Sequence, residues 1–288
     1  MVIAVASGKG GTGKTTVAVN LALSLDNVQF IDCDVEEPNA HIFLRPVIGR
    51  QNKAYIPVPQ IDEAKCNYCG QCKEVCVYNA IAVLSLSAER KGSILTFPNL
   101  CHGCGACAAL CPQGAITEIN REIGLIETGS SGDMQFVHGR LNIGEAMSPP
   151  LIRAVKNNID RTKTVIIDAP PGTSCPVVAA VRENDFCVLV TEPTPFGLND
   201  LRLTVEVLRE INIPFGVVIN RADLGDNKTL EYCLDENIPV LMCIPFKKDI
   251  AQAYSRGETL LGVCPGIKQD FINLYKAIEK IIEAGDKR

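Results

Sequence analysis

Two sets of residues in this chain are spaced for chemistry. The first is Gly8, Lys9, Gly10, Gly11, Thr12, Gly13, Lys14, Thr15 and Thr16, a GxxxxGKT stretch. It follows the apolar run 2–6 and opens a helical pattern over 17–25. Strand, glycine loop and helix form the setting in which successive backbone N–H groups turn toward one phosphate, aided by the positive end of the helix. Lys14 is expected at the β- and γ-phosphates of a nucleotide, and the Thr15 hydroxyl on Mg²⁺. The second set is Cys66, Cys69, Cys72 and Cys76, then Cys101, Cys104, Cys107 and Cys111, both runs with CxxCxxCxxxC spacing. Three thiolates on one tight loop can reach three corners of an iron–sulfur cube. The fourth, opening the next helix, falls nearer a second cube.

That spacing resembles the signature of bacterial ferredoxins. The resemblance implies two 4Fe–4S clusters per chain, one held by Cys66, Cys69, Cys72 and Cys111, the other by Cys101, Cys104, Cys107 and Cys76. Gly70, Gly103 and Gly105 let the backbone wrap close to them. The halves repeat about 35 residues apart, Cys76 to Ile81 matching Cys111 to Ile116, with Val77 where the second run has Pro112. Fourteen cysteines in a short secreted chain would suggest disulfides. Clustered runs beside a phosphate loop make metal ligation the better account. Zinc takes one set of four ligands, not two such quartets.

Several elements must position the nucleotide groups. Residues 28–34 read as a buried parallel strand ending in Asp32 and Asp34, and residues 164–168 as another ending in Asp168, followed by Ala169-Pro170-Pro171-Gly172-Thr173. Ligands of open α/β sheets bind outside the carboxyl ends of strands, so these acids face the nucleotide. Asp168 is expected to meet Mg²⁺ through water. Further strands are expected over 186–191, 215–221 and 240–244, a rigid loop over 192–197, and helices over 151–155, 200–211 and 267–284. The last carries Phe271, Leu274 and Ile278 at helical spacing, and acids interleaved with its lysines favour packing on the sheet over membrane binding.

With Lys9 after its first glycine, KGGTGKTT resembles the deviant Walker A loop of the MinD, ParA, nitrogenase iron protein and Mrp-type carrier superfamily. The resemblance implies that Lys9 crosses a dimer interface to the partner's nucleotide, giving a homodimer bridged by ATP. It also implies that Asp34 orients the attacking water, that Asp32 assists the Mg²⁺ shell, and that Gly172 in the DxPPG switch senses the γ-phosphate. Asn220 matches an adenine-reading asparagine, with Arg221 beside it and Pro245 across the base. Cys175, seven residues beyond Asp168, stands where the nitrogenase iron protein has a cluster ligand. The second cysteine which that arrangement needs upstream is already committed to the ferredoxin runs. Cys187, Cys233, Cys243 and Cys264 read as core thiols, and the three histidines have no partner pattern.

The 288 residues suffice for one large domain and one small one. A formal charge of -5 argues against nucleic acid as a partner, and no apolar run reaches the length of a membrane span. Without a basic leader the chain reads as cytoplasmic. The expected fold is α/β: a mostly parallel P-loop NTPase sheet with helices on both faces, residues 1–56 and 123–288, interrupted by an inserted α+β ferredoxin domain, residues 57–122. The expected activity is ATP hydrolysis coupled to electron transfer toward a redox partner protein. The alternative is a carrier or maturation factor that delivers a cluster or metallocofactor to a client.

Overall fold

The computed structural model describes residues 1–84 and 92–285, so residues 85–91 of the expected inserted segment lie outside it. The chain divides into two compact units: Met1–Asn52, Ile126–Arg140 and Ile152–Arg288 in one, Lys53–Leu125 and Leu141–Leu151 in the other.

The larger unit begins with β1 (Val2–Ala6), which is wholly buried, the loop, and α1 (Lys14–Leu23). Then come β2 (Val28–Asp32), α2 (Ala40–Leu44) and β3 (Val47–Ile61), which runs on into the smaller unit. That unit holds α3 (Gln71–Val75), the antiparallel pair β4 (Ile81–Leu84) and β5 (Ser93–Thr96), and α4 (Ala106–Ala109). The chain returns on β6 (Ile116–Ser131), and a two-residue turn with Gly132 at φ 58 leads into β7 (Met134–Leu141). So short a connection between neighbouring strands makes a hairpin. There follow α5 (Pro149–Lys156), β8 (Thr164–Asp168), α6 (Cys175–Val181), β9 (Phe186–Thr191), α7 (Pro195–Glu210) and β10 (Phe215–Asn220). The chain continues through α8 (Lys228–Asp235), β11 (Val240–Ile244), α9 (Lys248–Ser255), α10 (Leu260–Val263) and α11 (Ile267–Gly285).

Among the described residues, nine strands form one sheet in the order β11-β10-β9-β1-β8-β2-β7-β6-β3. The pairs around β1, β2, β8, β9, β10 and β11 are parallel. Buried along most of their length, β1, β2, β8, β9 and β10 carry the continuous apolar sequences that parallel sheets require, while the edge strand β11 is only partly covered. Register decides the site: Asp168 lies opposite both Val5 and Asp32, so the ends of β1, β2 and β8 meet at one edge beside the glycine loop. Asn220 lies opposite Ile244, which brings it level with Pro245.

One expected element starts earlier than its sequence suggests. The helix expected over 200–211 begins at Pro195, because Pro195 occupies its first turn and the Thr194 side chain accepts from Gly197 N–H at 3.0 Å. The hairpin β6–β7 and the length of β3 were not expected, since polar residues interrupt all three strands and hide their period. In α11, Phe271, Leu274 and Ile278 are buried in the main core, as their spacing implies. Among the described residues no helix is long and apolar enough to cross a membrane.

Candidate functional site

The loop from Ser7 to Thr16 is built by close approach. A Cβ on Gly8 would lie 2.4 Å from the Asp200 carbonyl oxygen, and one on Gly13 would lie 2.4 Å from Asn220 Nδ2. Gly13 holds φ 92, left-handed backbone that glycine adopts without strain. Thr12, Lys14 and Thr15 are buried.

Lys14 Nζ lies 2.6 Å from Asp168 Oδ1 and 3.5 Å from Asp34 Oδ2. Burial opposes the lysine charge, but Asp168, Asp34 and Asp32 together outweigh it and hold its pKa above the ordinary value. Burial, and then the Asp168 charge, push Asp32 up to about 8. Burial, less complete at Asp34, pushes that carboxyl up to about 6. The Asp32 oxygens accept from Asp34 N–H at 3.0 Å and Ala40 N–H at 3.2 Å, so Asp32 fastens the turn that carries Asp34. Asp168 Oδ2 is buried with no hydrogen-bond partner. An orphaned carboxylate oxygen beside the Thr15 hydroxyl's loop is the donor a Mg²⁺ ion would satisfy, so these residues fit that ion.

A carboxyl whose native pKa lies above its unfolded value binds its proton more tightly when folded. Stability therefore falls as pH rises between the two values. Without nucleotide and Mg²⁺, the protein should lose stability from about pH 4 to about pH 6 through Asp34. Chemical denaturation across that range should show a shallower loss in Asp34→Asn, and an unchanged slope would refute the assignment.

Other expected nucleotide groups have partners within the chain. Gly172, at φ 101, donates its N–H to the Ser7 carbonyl at 2.9 Å, which ties the segment after β8 to the glycine loop. Asn220 Nδ2 donates to the Thr12 carbonyl at 2.8 Å, while its Oδ1 accepts from Arg221 N–H. Asn220, Arg221 and Pro245 share a cavity of about 330 Å³ with Gly11, Gly13 and Thr16. Phe246, Lys247 and Tyr254 also line it, from a loop and helix that carry no sequence signal for the role. Lys9 Nζ lies 2.5 Å from Glu192 Oε1, and Arg221 Nη1 lies 3.0 Å from Glu192 Oε2. Glu192 was legible only as part of a rigid loop.

In the smaller unit the cysteines fall into two groups. Cys66, Cys69, Cys72 and Cys111 line one cavity, and Cys76, Cys101, Cys104 and Cys107 line another. The backbone repeats with the sequence: Tyr68 and Gly103 have φ 57 and 66, Gly70 and Gly105 φ 81 and 74, Asn79 and Gly114 φ 53 and 56. Cys66 and Cys101 Sγ accept from the N–H groups of Tyr68 and Gly103, and Cys76 and Cys111 Sγ from those of Ala80 and Ala115. Val77 in place of proline leaves that turn unchanged. All fourteen cysteines are free. Among the described residues no group of three or more His, Cys, Asp or Glu side chains is arranged to hold a metal ion. Four thiols around a cavity suit a multi-atom cluster rather than one small ion.

Cys243 and Cys264 correct the expectation of core thiols: Cys243 is exposed on the edge strand β11 and Cys264 is half-buried. Burial pushes the Cys187 thiol up, as expected for an inert core residue. The histidines do find partners. His138 Nε2 lies 2.6 Å from Glu127, and His102 stacks on Tyr78 with ring centroids 3.4 Å apart.

Residues 3–260 match the family described as the CobQ/CobB/MinD/ParA nucleotide binding domain. The chain belongs to this family. It is 33% identical over 272 residues, 91% of each chain, to an uncharacterized protein of Methanocaldococcus jannaschii. An iron–sulfur cluster carrier protein of Aquifex aeolicus is 24% identical across 98% of this chain and 68% of its own. Ferredoxin-3 of Nostoc sp. is 34% identical over 70 residues, 20% of this chain and 72% of that protein. Among solved structures, the septum site-determining protein MinD of Pyrococcus horikoshii, complexed with Mg-ADP, superposes with a TM-score of 0.58 at 20% identity, covering 100% of this chain and 98% of that one. The fold of the nucleotide unit is thus that of the MinD and ParA P-loop proteins.

Proposed function

We propose that the protein is an ATP-hydrolysing iron–sulfur protein in which nucleotide state controls electron transfer to a redox partner protein. One observation carries this reading. A chain of the nucleotide-binding family also presents two cavities, each lined by three thiols of one cysteine run and the fourth of the other. The donors are soft sulfurs, four of which accept hydrogen bonds from backbone N–H groups, a set that fits two 4Fe–4S clusters. When bound, such clusters supply one-electron transfer at a potential set by these thiols and their hydrogen bonds. On this reading residues 57–122 are a ferredoxin domain inserted between residues 1–56 and 123–288.

Lys14 neutralises phosphate charge, and the glycine loop presents its N–H groups to the same oxygens. Thr15, Asp32 and Asp168 would hold Mg²⁺. Asp34, fastened through its backbone to Asp32, orients the attacking water. Lys9 of each subunit reaches the partner's phosphates in a homodimer bridged by ATP, where a second cation offsets developing charge. Asn220, Arg221 and Pro245 seat the base. ATP favours only the conformation it binds better, so gating requires the closed pair to differ from the open one in how it presents the inserted segment. The segment is joined to the nucleotide unit at two points, through β3 and β6, rather than at one end.

The test is the rate of electron delivery from anaerobically purified, reduced protein to a panel of acceptors. ATP should change that rate about tenfold for at least one acceptor. Unchanged rates for every acceptor would defeat the gating idea.

A second reading, a cluster or metallocofactor carrier, draws support from exposed Cys175 at the start of α6 and from the carrier protein of Aquifex aeolicus. Metal content separates the two. About eight stable irons per chain support electron transfer, whereas additional labile metal lost in Cys175→Ala supports the carrier.

A further inference from the structure

We infer that Glu192 is a positioning residue that withholds Lys9 from the dimer, and that Arg221 sets how readily it lets go. The inference rests on the reading that Lys9 serves a partner subunit's nucleotide.

The geometry is a three-membered charge network. Glu192 is mostly buried, with 11% of its side chain exposed, and each of its oxygens faces a different cation: Lys9 at 2.5 Å and Arg221 at 3.0 Å. A carboxylate so far from water is costly to leave unpaired. With Arg221 in place, Lys9 can depart and Glu192 still keeps a counter-charge. Without Arg221, departure of Lys9 would strand it.

The carboxylate side is fixed and the lysine side is free to move. Glu192 follows β9 directly, between Thr191, whose hydroxyl donates to the Gly197 carbonyl at 3.0 Å, and the Thr194 cap of α7. A Cβ on Gly197 would lie 2.3 Å from the Glu192 carbonyl oxygen, so this turn has no slack. Lys9 has its backbone held by the Ser7 hydroxyl at 2.8 Å, but its side chain is 30% exposed and can swing outward.

The network also reaches the base site. Arg221 adopts left-handed backbone, φ 53, and its N–H donates to Asn220, which in turn donates to the Thr12 carbonyl in the loop. A base entering the cavity beside Asn220 and Arg221 would bear on the same carboxylate that holds Lys9. Nucleotide binding within one chain is thereby connected to offering Lys9 to another.

Opposite signs in two variants test this. Glu192→Gln keeps the shape and removes the charge that holds Lys9, so the ATP concentration giving half-maximal dimerisation should fall about fivefold. Arg221→Gln leaves Lys9 as the sole counter-charge, so the concentration should rise. Nucleotide affinity of the monomer, measured with ADP, serves as the reference in each case. A merely structural role for Glu192 would move both variants upward, and that result would overturn the inference, as would no change in Glu192→Gln. Lys9→Ala reports on the underlying reading separately. If it still dimerises with ATP, Lys9 does not act in trans and that reading fails. If it does not dimerise and Glu192→Gln shows no gain, the inference alone fails.

Discussion

Asp34→Ala protein should bind ATP and Mg²⁺, pair with a second copy, and then stall, with turnover lowered about 10²- to 10⁴-fold. Asp34 stands at the turn after β2, 3.5 Å from Lys14, with its N–H anchored on Asp32. Losing this carboxylate leaves Lys14 with Asp168 as its counter-charge at 2.6 Å, so the loop should keep its cation in place for phosphate. What disappears is the acceptor that orients water. Binding and turnover should therefore separate: nucleotide affinity within a few-fold of the parent, hydrolysis nearly absent, and the paired form accumulating in sedimentation with ATP. A variant that hydrolyses at the parent rate, or that fails to bind ATP at all, would remove Asp34 from the water-orienting role. The stalled pair would also be the best bait for a redox partner, because it holds the closed state open to capture.

The second large effect concerns the fourth cysteine of each run. Cys111→Ala should lose the cluster of the Cys66 loop, not that of the Cys101 loop, and Cys76→Ala should do the reverse, because the cavities are lined crosswise. Iron should fall from about eight toward about four per chain in either variant. The decisive sample combines Cys111→Ala with changes at Cys66, Cys69 and Cys72. Crosswise ligation leaves about four irons there, since both losses fall on one cluster. If each run held its own cluster, this combination would leave none, and Cys76→Ala together with changes at Cys66, Cys69 and Cys72 would then spare a cluster that crosswise ligation removes. Iron content of the two combinations, with spectra of the reduced samples, settles the pairing. Stability should follow iron. The buried apolar side chains of this unit are Ala54, Ile56, Val58, Ala80, Ile81, Ile94, Ala115, Ile116, Ile123 and Leu151 among the described residues, a small core for its length. Chelation should therefore make the segment the first site of proteolysis.

Much of this was legible before any coordinates. β1, β8 and β9 run over the expected residues, because strands buried on both faces write themselves as unbroken apolar runs closed by polar residues, and the edge strand β11 does so too through its apolar sequence. The three close-spaced cysteines of each loop were legible because ligand spacing is a local property of a tight turn, whereas the fourth thiol lining each cavity comes from the other run. Less was legible where the pattern was weaker. β3 and β6 carry exposed polar residues along much of their length, and the short loop before α7 concealed a helix start until Thr194 was seen to cap it.

Chain order alone determined the chemistry on offer: a phosphate loop, acids at strand ends, and thiols in quartets, since each depends on residues a few positions apart. Tertiary structure decided who pairs with whom. Glu192 and Lys9 are 183 residues apart, as are Asn220 and Thr12 by 208, and each pair meets because parallel strands deliver their carboxyl ends to one edge. No local pattern encodes such a meeting. It arises when the sheet closes and every buried charge must find a counter-charge within reach.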